Sequence, residues 1–310
     1  MSESDIQKAL AVRINLQIVI SSIPSIEEEM DMPLSRWLDA VPLPPEMPGG
    51  VAPTLVVRLR TDLEGMGWSA YGAPAGMIPK MADYFQKCGM AAEDLAVINA
   101  MGDAMEPNQV GSWIEVVGGA MRTGWQFRER MALSRLAPHF SADLAVTRLM
   151  MFTAKRDIED YRTLVQAVTT PKGGTSSSLI TLALPGDTAA RQVALAAEGF
   201  TDLGQVELPA RLAAVLGEGA EADVSLAVEL SAGAISAVEV AAPGIHADDL
   251  SALCAELGIT YSDRVGELER MLGADGVHRL CYTAGPGRAP SITVDLIPGV
   301  IDRKPGFVRN

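Results

Sequence analysis

The stretch DVSLAVELSAGAISAVEV, residues 223–240, decides the fold. Apolar and polar side chains alternate strictly in its first half. The apolar set is Val224, Leu226, Val228 and Leu230. Alternation with a period of two is typical of an extended strand that has one apolar face. The small residues Ser231 to Ala234 then reverse the chain, so the stretch predicts a β-hairpin of a sheet with one buried and one polar face.

The same pattern recurs along the chain. Residues 291–296 alternate between an apolar set and a polar set, and they form the second half of a hairpin over 277–299 with a loop of glycine and proline. Residues 54–60 predict a strand, with its return at 68–72. GSWIEVVGGAMRTGWQF, residues 111–127, predicts a further hairpin about a glycine pair. Four hairpins therefore supply most of the predicted sheet.

Helical patterns separate these hairpins. They cover residues 4–20, 77–105, 128–138, 209–217, 247–258 and 264–273. The last three end at a glycine, which is common after a helix C-terminus. Residues 144–168 predict strand, turn and strand, and a helix that starts near Asp157 is the alternative. Residues 178–199 predict a strand and a Gly-Asp turn, followed by a strand or a helix.

A unit of helix, hairpin and helix thus repeats, which predicts an α+β fold. An antiparallel sheet with one apolar face must cover that face with helices. Closure into an antiparallel β-barrel surrounded by helices meets this need and removes the exposed strand edges. The alternative is two tandem α+β domains that divide near 170–178. In the barrel architecture, residues 1–53 form a helix and a proline-rich connector. Residues 54–299 form the single barrel domain, and residues 300–310 form a C-terminal tail.

Composition excludes several functional classes. The chain has 310 residues and a formal net charge of −14, which disfavours a nucleic-acid groove and an anionic membrane surface. The first residues are acidic where a signal peptide would be basic. The three cysteines are far apart, which favours a reducing compartment. We therefore expect a cytoplasmic protein; the oligomeric state is left open.

The repeated hairpins and the chain length resemble the αββα-barrel (ABBA) family of soluble aromatic prenyltransferases. The resemblance covers about residues 54 to 299 and rests on topology and length. It implies an enzyme of secondary metabolism that binds two small molecules, an allylic diphosphate and an aromatic acceptor, in the barrel lumen. The prenyl group would pass from the first to the second.

The resemblance also implies a set of site residues. Guanidinium groups on several strands would hold the diphosphate, because they bind its oxygens in bidentate fashion. The arginines assigned this role are Arg58, Arg60, Arg122, Arg148 and Arg279. Glu115 would accept a proton from the aromatic nucleophile. Trp113, Trp125 and Tyr282 would line the pocket and stabilise a carbocation.

The sequence predicts no metal site and no cofactor. The three histidines have no paired spacing, and no DDxxD motif supports Mg²⁺ binding. Five tyrosines in the whole chain are few for the tyrosine shield of the family. A non-catalytic ligand-binding or assembly protein of related fold is therefore the alternative function.

Overall fold

The computed structural model describes residues 54–62, 65–73, 92, 110–117, 120–130, 143–158, 162–169, 177–218, 222–244, 247–272, 274 and 276–297. The strands are β1 (Thr54–Arg60), β2 (Gly65–Ala73), β3 (Val110–Val117), β4 (Ala120–Arg130), β5 (Arg162–Thr169), β6 (Ser177–Ala183), β7 (Ser225–Ser231), β8 (Ala234–Pro243), β9 (Arg279–Gly285) and β10 (Arg288–Leu296). The helices are α1 (Asp143–Lys155), α2 (Ala189–Asp202), α3 (Ala210–Gly217), α4 (Ala247–Leu257) and α5 (Arg264–Leu272). The α+β class predicted from the sequence is confirmed.

All ten of these strands belong to one antiparallel sheet. The order is β1-β10-β9-β8-β7-β6-β5-β4-β3-β2, and β1 pairs with both β10 and β2. Strands β5 and β6 flank the stretch where the two-domain alternative would divide, and they pair through Gln166 and Leu179. The sheet is therefore continuous across that point.

Two tight turns join the hairpins of the second half. Ala232 and Gly233 have φ angles of 49° and 80°, as a two-residue turn of type I′ requires. Gly287 has φ 71° and follows Pro286, which suits a turn with proline first and glycine second. Both turns lie where the sequence predicts them.

The two faces of the sheet differ. Helix α2 packs on one of them, where Gly199 lies against Leu226 and Gly204 against Val238. We call this the helix face. The other is the polar face, which carries Arg58, Arg60, Glu229, Glu239, Arg279, Thr283 and Asp295. The alternation in β7 and β10 that predicts such a division is confirmed, with Leu226, Ile292 and Val294 fully buried.

The helices α3, α4 and α5 confirm the sequence prediction, and the second part of 178–199 is the helix α2. The prediction of two strands in 144–168 is wrong in its first half, because residues 143–155 form α1. Their buried residues Val146, Leu149, Phe152 and Thr153 recur at the helical period. The predicted helix at 128–138 is wrong over its first three residues, which extend β4.

The predicted helices at 4–20 and 77–105 fall largely on residues that are not described, as do the connector and the tail. None of the five described helices combines the length and the hydropathy that a bilayer crossing requires.

Candidate functional site

A bidentate ion pair on the polar face joins β1 and β10. The Arg58 guanidinium donates from Nε to Asp295 Oδ1 at 2.7 Å and from Nη2 to Asp295 Oδ2 at 2.9 Å. The side chains are 12% and 2% exposed. The register explains the meeting, since Arg58 and Asp295 lie directly opposite each other. A bidentate pair of this kind fixes the guanidinium in one plane.

Three further arginines contact carboxylates. Arg60 Nη2 donates to Asp62 Oδ2 at 2.6 Å, and Arg288 Nη1 donates to Glu229 Oε2 at 2.8 Å. Arg279 contacts groups on two other segments of the chain. Its Nη1 donates to Asp223 Oδ2 at 3.2 Å and its Nη2 to Ser225 Oγ at 2.8 Å. Each of these four guanidinium groups is therefore compensated locally by a carboxylate.

Cys281 lies at the centre of this charged group. It is 1% exposed and is paired in register with Ala241 on one side and Thr293 on the other. Burial raises the pKa of its thiol well above the usual range, and the Glu239 carboxylate adds to the rise. The thiol is therefore neutral at physiological pH.

Two threonines border Cys281. Thr283 Oγ1 donates to Glu239 Oε2 at 3.1 Å and so orients that carboxylate. Thr293 is 8% exposed and lies directly opposite Arg60 of β1. Small residues lie beyond them, with Ala241 opposite Cys281 on β8 and Ser225 opposite Ala241 on β7. The centre of the polar face thus combines little side-chain volume with several polar groups.

Strands β2 to β5 are described by their backbone pairing. Glu115 pairs with Gly67 on one side and with Arg122 on the other, and Gly67 pairs with Arg58. Residues directly opposite in a ladder share a face. Positions 58, 115 and 122 therefore fall in one row, and Trp113, two residues before Glu115, lies on the same face.

The structure separates three residues of the predicted set from this row. Arg148 lies on α1 and not on a strand, and its Nη2 donates to the Asp202 carbonyl oxygen at 2.7 Å. Tyr282 lies on the helix face, where its ring stacks on Phe200 with centroids 5.8 Å apart. These placements correct the expectation that both line a lumen. Trp125 pairs with Ser112 and Val165, which puts it in the set of positions that alternates with that of Trp113.

The sequence analysis missed the carboxylates of this face, which are Glu229, Glu239 and Asp295. The signal was present, because Asp295 alternates with the apolar residues of 291–296 and Glu229 with those of 224–230. A carboxylate on the polar side of a strand is a partner for an arginine across the sheet, and the register decides which one.

Within the described ranges no three His, Cys, Asp or Glu side chains are grouped so that they could hold a metal ion. The prediction that no cofactor is needed stays a prediction.

The architecture and the charged polar face define an α+β protein built on one continuous antiparallel sheet. No protein-family model matches the chain. A PH domain-containing protein of Dictyostelium discoideum is 23% identical over 265 residues, which are 83% of this chain and 57% of that protein. The chain thus spans little more than half the length of this relative.

Solved structures show the fold more clearly. The apo form of the prenyltransferase PriB has a TM-score of 0.57 and 13% identity, and the match covers 94% of this chain and 95% of that one. The 5-dimethylallyl tryptophan synthase of Streptomyces coelicolor, in complex with DMASPP and Trp, has a TM-score of 0.50 and 14% identity over 100% and 93%. The fold is that of the ABBA-type aromatic prenyltransferases, which confirms the resemblance at the level of fold.

Proposed function

We propose that this chain transfers a prenyl group from an allylic diphosphate to an aromatic small molecule. The observation that carries the proposal is the sheet order, in which β1 is joined to both β2 and β10 and one face bears charged groups. In this proposal the sheet closes as a barrel, the polar face lines its lumen, and residues 54–299 act as one domain. The shared fold with PriB supports it.

The proposed reaction breaks the bond between the allylic carbon C1 and its oxygen. The diphosphate leaves with the electron pair, and the allylic cation adds to a carbon of the aromatic ring. The ring carbon then loses its proton to a base, which restores aromaticity. Atoms and charge balance without an oxidant or a reductant. The protein must bind the two substrates side by side and exclude water from the cation.

We assign the base to Glu115 and one diphosphate contact to Arg122. They are opposite each other in the ladder between β3 and β4, so a single site can contain both. Arg58 and Arg60 lie on the same face. Arg279 of β9 also lies on it, directly opposite Asp295 of β10. Trp113 lies two residues before Glu115 on β3, and we assign it contact with the cation.

The test is a product assay with the purified chain. Dimethylallyl diphosphate is incubated with indoles and naphthols, and mass spectrometry detects the mass of one added dimethylallyl group. We expect turnover with at least one acceptor and a loss of about 10²- to 10⁴-fold in Glu115→Gln, because a general base contributes on that order. Arg122→Ala should weaken diphosphate binding measured by calorimetry.

Arg211→Ala is the matched control for Arg122→Ala. Arg211 is an exposed helix residue that contacts Glu256 at 2.9 Å, and its loss should leave turnover unchanged. If no acceptor is prenylated and the wild-type chain does not bind the diphosphate, the enzymatic proposal is wrong. The non-catalytic binding role would then be the better account.

A further inference from the structure

The exposed large apolar side chains of the described residues are gathered on α1. Leu144 is 73% exposed, Met151 67% and Met150 37%, and no other large apolar side chain in the described ranges is as open to solvent. Leu144 and Met151 are seven residues apart, so they lie two turns apart on one side of the helix. The other side of α1, with Val146 and Leu149, is buried. Exposed apolar groups that lie together mark interaction surfaces, whereas single ones are common.

Two basic residues follow the same side of α1. Arg148 comes four residues after Leu144, and Lys155 comes four residues after Met151. Residues at this spacing are neighbours on a helix surface. We call these four residues the outer face of α1. It presents an apolar stripe and a basic stripe side by side.

Neither cation of the outer face is compensated by a carboxylate within the described part of the chain. Arg148 donates from Nη2 to carbonyl oxygens at the C-terminal end of α2, at 2.7 Å to that of Asp202. These hydrogen bonds hold the guanidinium in place and leave its charge without a counterion. Lys155 is exposed and forms no ion pair with a described residue.

A groove lies beside the outer face, between α1 and the C-terminal end of α2. Its volume is about 480 Å³, and Met151, Phe152 and Leu203 are among the residues that line it. Phe152 is 4% exposed and Leu203 2%, so the floor of the groove is apolar and well packed. Arg156 also lines it; the guanidinium stacks over Phe152 at 4.0 Å and pairs with Asp202 at 2.6 Å. The groove can therefore accept an apolar side chain of a partner.

The charge of the outer face is complementary to an acidic partner. The whole chain carries a formal net charge of −14, so two uncompensated cations beside exposed apolar groups are a local exception. Complementary charges across a contact speed association and fix its register. Arg148 and Lys155 are about 10 Å apart along the helix axis. Two carboxylates seven residues apart on a partner helix have the same spacing.

A second copy of this chain is a less suitable occupant. When two identical helices pack antiparallel about a two-fold axis, each flank meets the same flank of the other helix. Arg148 and Lys155 would then face the same two cations of the other copy, and like charges oppose such a contact. An anionic membrane surface is disfavoured by the net charge of −14.

We propose that the outer face of α1 binds an acidic amphipathic helix of a partner protein. The apolar side of that helix lies on Leu144 and Met151, and one of its side chains enters the groove. Two of its carboxylates pair with Arg148 and Lys155. This is the helix-in-groove mode of recognition. The docking is independent of the proposed function, because α1 packs beside α2 and away from the polar face.

The size of α1 sets the strength of the complex. The helix has 13 residues and is therefore about 20 Å long. A contact of this length is small for a protein interface, so the complex is transient, with a dissociation constant on the order of micromolar.

Fluorescence anisotropy with two designed helical peptides tests the proposal. Both are about four heptads long, with leucine at a and d; one has glutamate at e and g, and the other has lysine there. Like charges at e and g keep each peptide from pairing with itself. We expect the glutamate peptide to bind wild type roughly tenfold or more tightly than the lysine peptide, and this preference to shrink as salt is raised.

Two double variants locate the binding. Arg148→Glu with Lys155→Glu should reverse the preference between the peptides. Leu144→Ser with Met151→Ser should weaken the glutamate peptide roughly tenfold and keep the preference, because two apolar side chains no longer lose contact with water on binding. Thermal denaturation checks that each variant is folded. The comparison of the two peptides on wild type needs no variant.

Arg191→Glu with Arg211→Glu is the matched control. It makes the same change of charge on α2 and α3, where the two side chains are 74% and 57% exposed, and it should leave the affinity for both peptides unchanged. An effect as large as that of Arg148→Glu with Lys155→Glu would show attraction by overall charge and would overturn the proposal. Equal affinity of wild type for the two peptides, or binding of neither, would also overturn it.

The other occupants are tested with the same variants. Sedimentation velocity measures self-association, and co-sedimentation with phosphatidylserine vesicles measures membrane binding. We expect neither in wild type. A dimer that Leu144→Ser with Met151→Ser abolishes would assign the outer face to a second copy, and vesicle binding that this variant abolishes would assign it to a membrane. Either result would overturn the proposal of an acidic helix, and neither would bear on the prenyl-transfer assay.

Discussion

Arg58 and Asp295 lie 237 positions apart in the sequence and form a bidentate ion pair on the polar face, at 2.7 and 2.9 Å. The pair joins the first described strand to the last. It stands in the ladder between β1 and β10, where the register places the two residues opposite each other. The contact therefore depends on the pairing of the first and last described strands, and it compensates charge at the candidate site.

Removing one member of this pair should destabilise the fold. Asp295 is 2% exposed, so Asp295→Asn removes a buried negative charge that compensates Arg58. We expect a loss of about 3–5 kcal/mol in the free energy of unfolding, measured by urea denaturation. Arg58→Met together with Asp295→Leu should recover part of that loss, since apolar residues of similar volume often replace a buried pair without cost.

The exposed pair of Arg211 and Glu256 gives the comparison. Its side chains are 57% and 52% exposed, and Glu256→Gln should change the free energy of unfolding by less than about 1 kcal/mol. A loss below about 1 kcal/mol in Asp295→Asn would contradict the buried ion pair.

The position of Tyr282 predicts a variant without effect on ligands. Its ring stacks on Phe200, which is fully buried on α2, so Tyr282 is on the helix face and not beside Cys281. Tyr282→Phe should leave the affinity for dimethylallyl diphosphate unchanged in calorimetry. Phe200→Ala should cost about 3–5 kcal/mol of stability through the cavity that it leaves. A fivefold or greater loss of affinity in Tyr282→Phe would return this residue to the ligand site.

The sequence patterns were sufficient for the hairpins of the second half. Alternation in 224–230 and 291–296 identifies strands because the period is local, and glycine at 233 and 287 marks the turns. The helix α1 was missed because it begins with the short apolar run Leu144 to Val146, and such a run fits a strand as well as a helix. Its buried residues Val146, Leu149 and Phe152 show the helical spacing only when the whole segment is considered.

The candidate site could be predicted less well. The arginines were visible in the sequence, and the face of each followed from alternation once its strand was known. Their partners were not visible, because the register between distant strands is set by the whole sheet. Asp295 could not be assigned to Arg58, nor Glu229 to Arg288, before the order of the strands was known. The pairing of each arginine with its carboxylate therefore becomes known only from the strand order and register.

A buried glutamine forms hydrogen bonds with the backbone just before β7. Gln192 is 4% exposed; its Nε2 donates to the Leu184 carbonyl at 2.8 Å, and its Oε1 accepts from the Val224 backbone N–H at 2.8 Å. Gln192→Leu keeps the volume and leaves both backbone groups buried without this partner. We expect a loss of about 2 kcal/mol or more, measured by thermal or urea denaturation.

The neighbouring variant Arg191→Ala tests whether this loss is specific. Arg191 is on the same helix turn and is 74% exposed, so its removal should cost less than about 0.5 kcal/mol. Similar stability of Gln192→Leu and wild type would show that the amide does not satisfy these groups.

The two buried thiols should make stability fall in alkali. Burial raises the pKa of Cys254 from 9.0 to about 11, against a smaller opposing effect of its hydrogen bond with Thr61, and the pKa of Cys281 is also raised by burial. Below pH 9 both thiols are protonated in the folded and the unfolded chain. Above it the unfolded chain releases their protons while the folded chain retains them, so the free energy of unfolding decreases as pH rises.

Each thiol can contribute a slope of up to about 1.4 kcal/mol per pH unit in this range. Urea denaturation of the wild type between pH 8 and 11 should therefore show a steeper fall than the variant with both Cys254→Ala and Cys281→Ala. Cys88 and all tyrosines are shared by the two proteins, so their titration cancels in the difference. Parallel curves above pH 9 would mean that the two thiols ionise as readily in the folded chain as in the unfolded one, and that the sheet around Cys281 admits water.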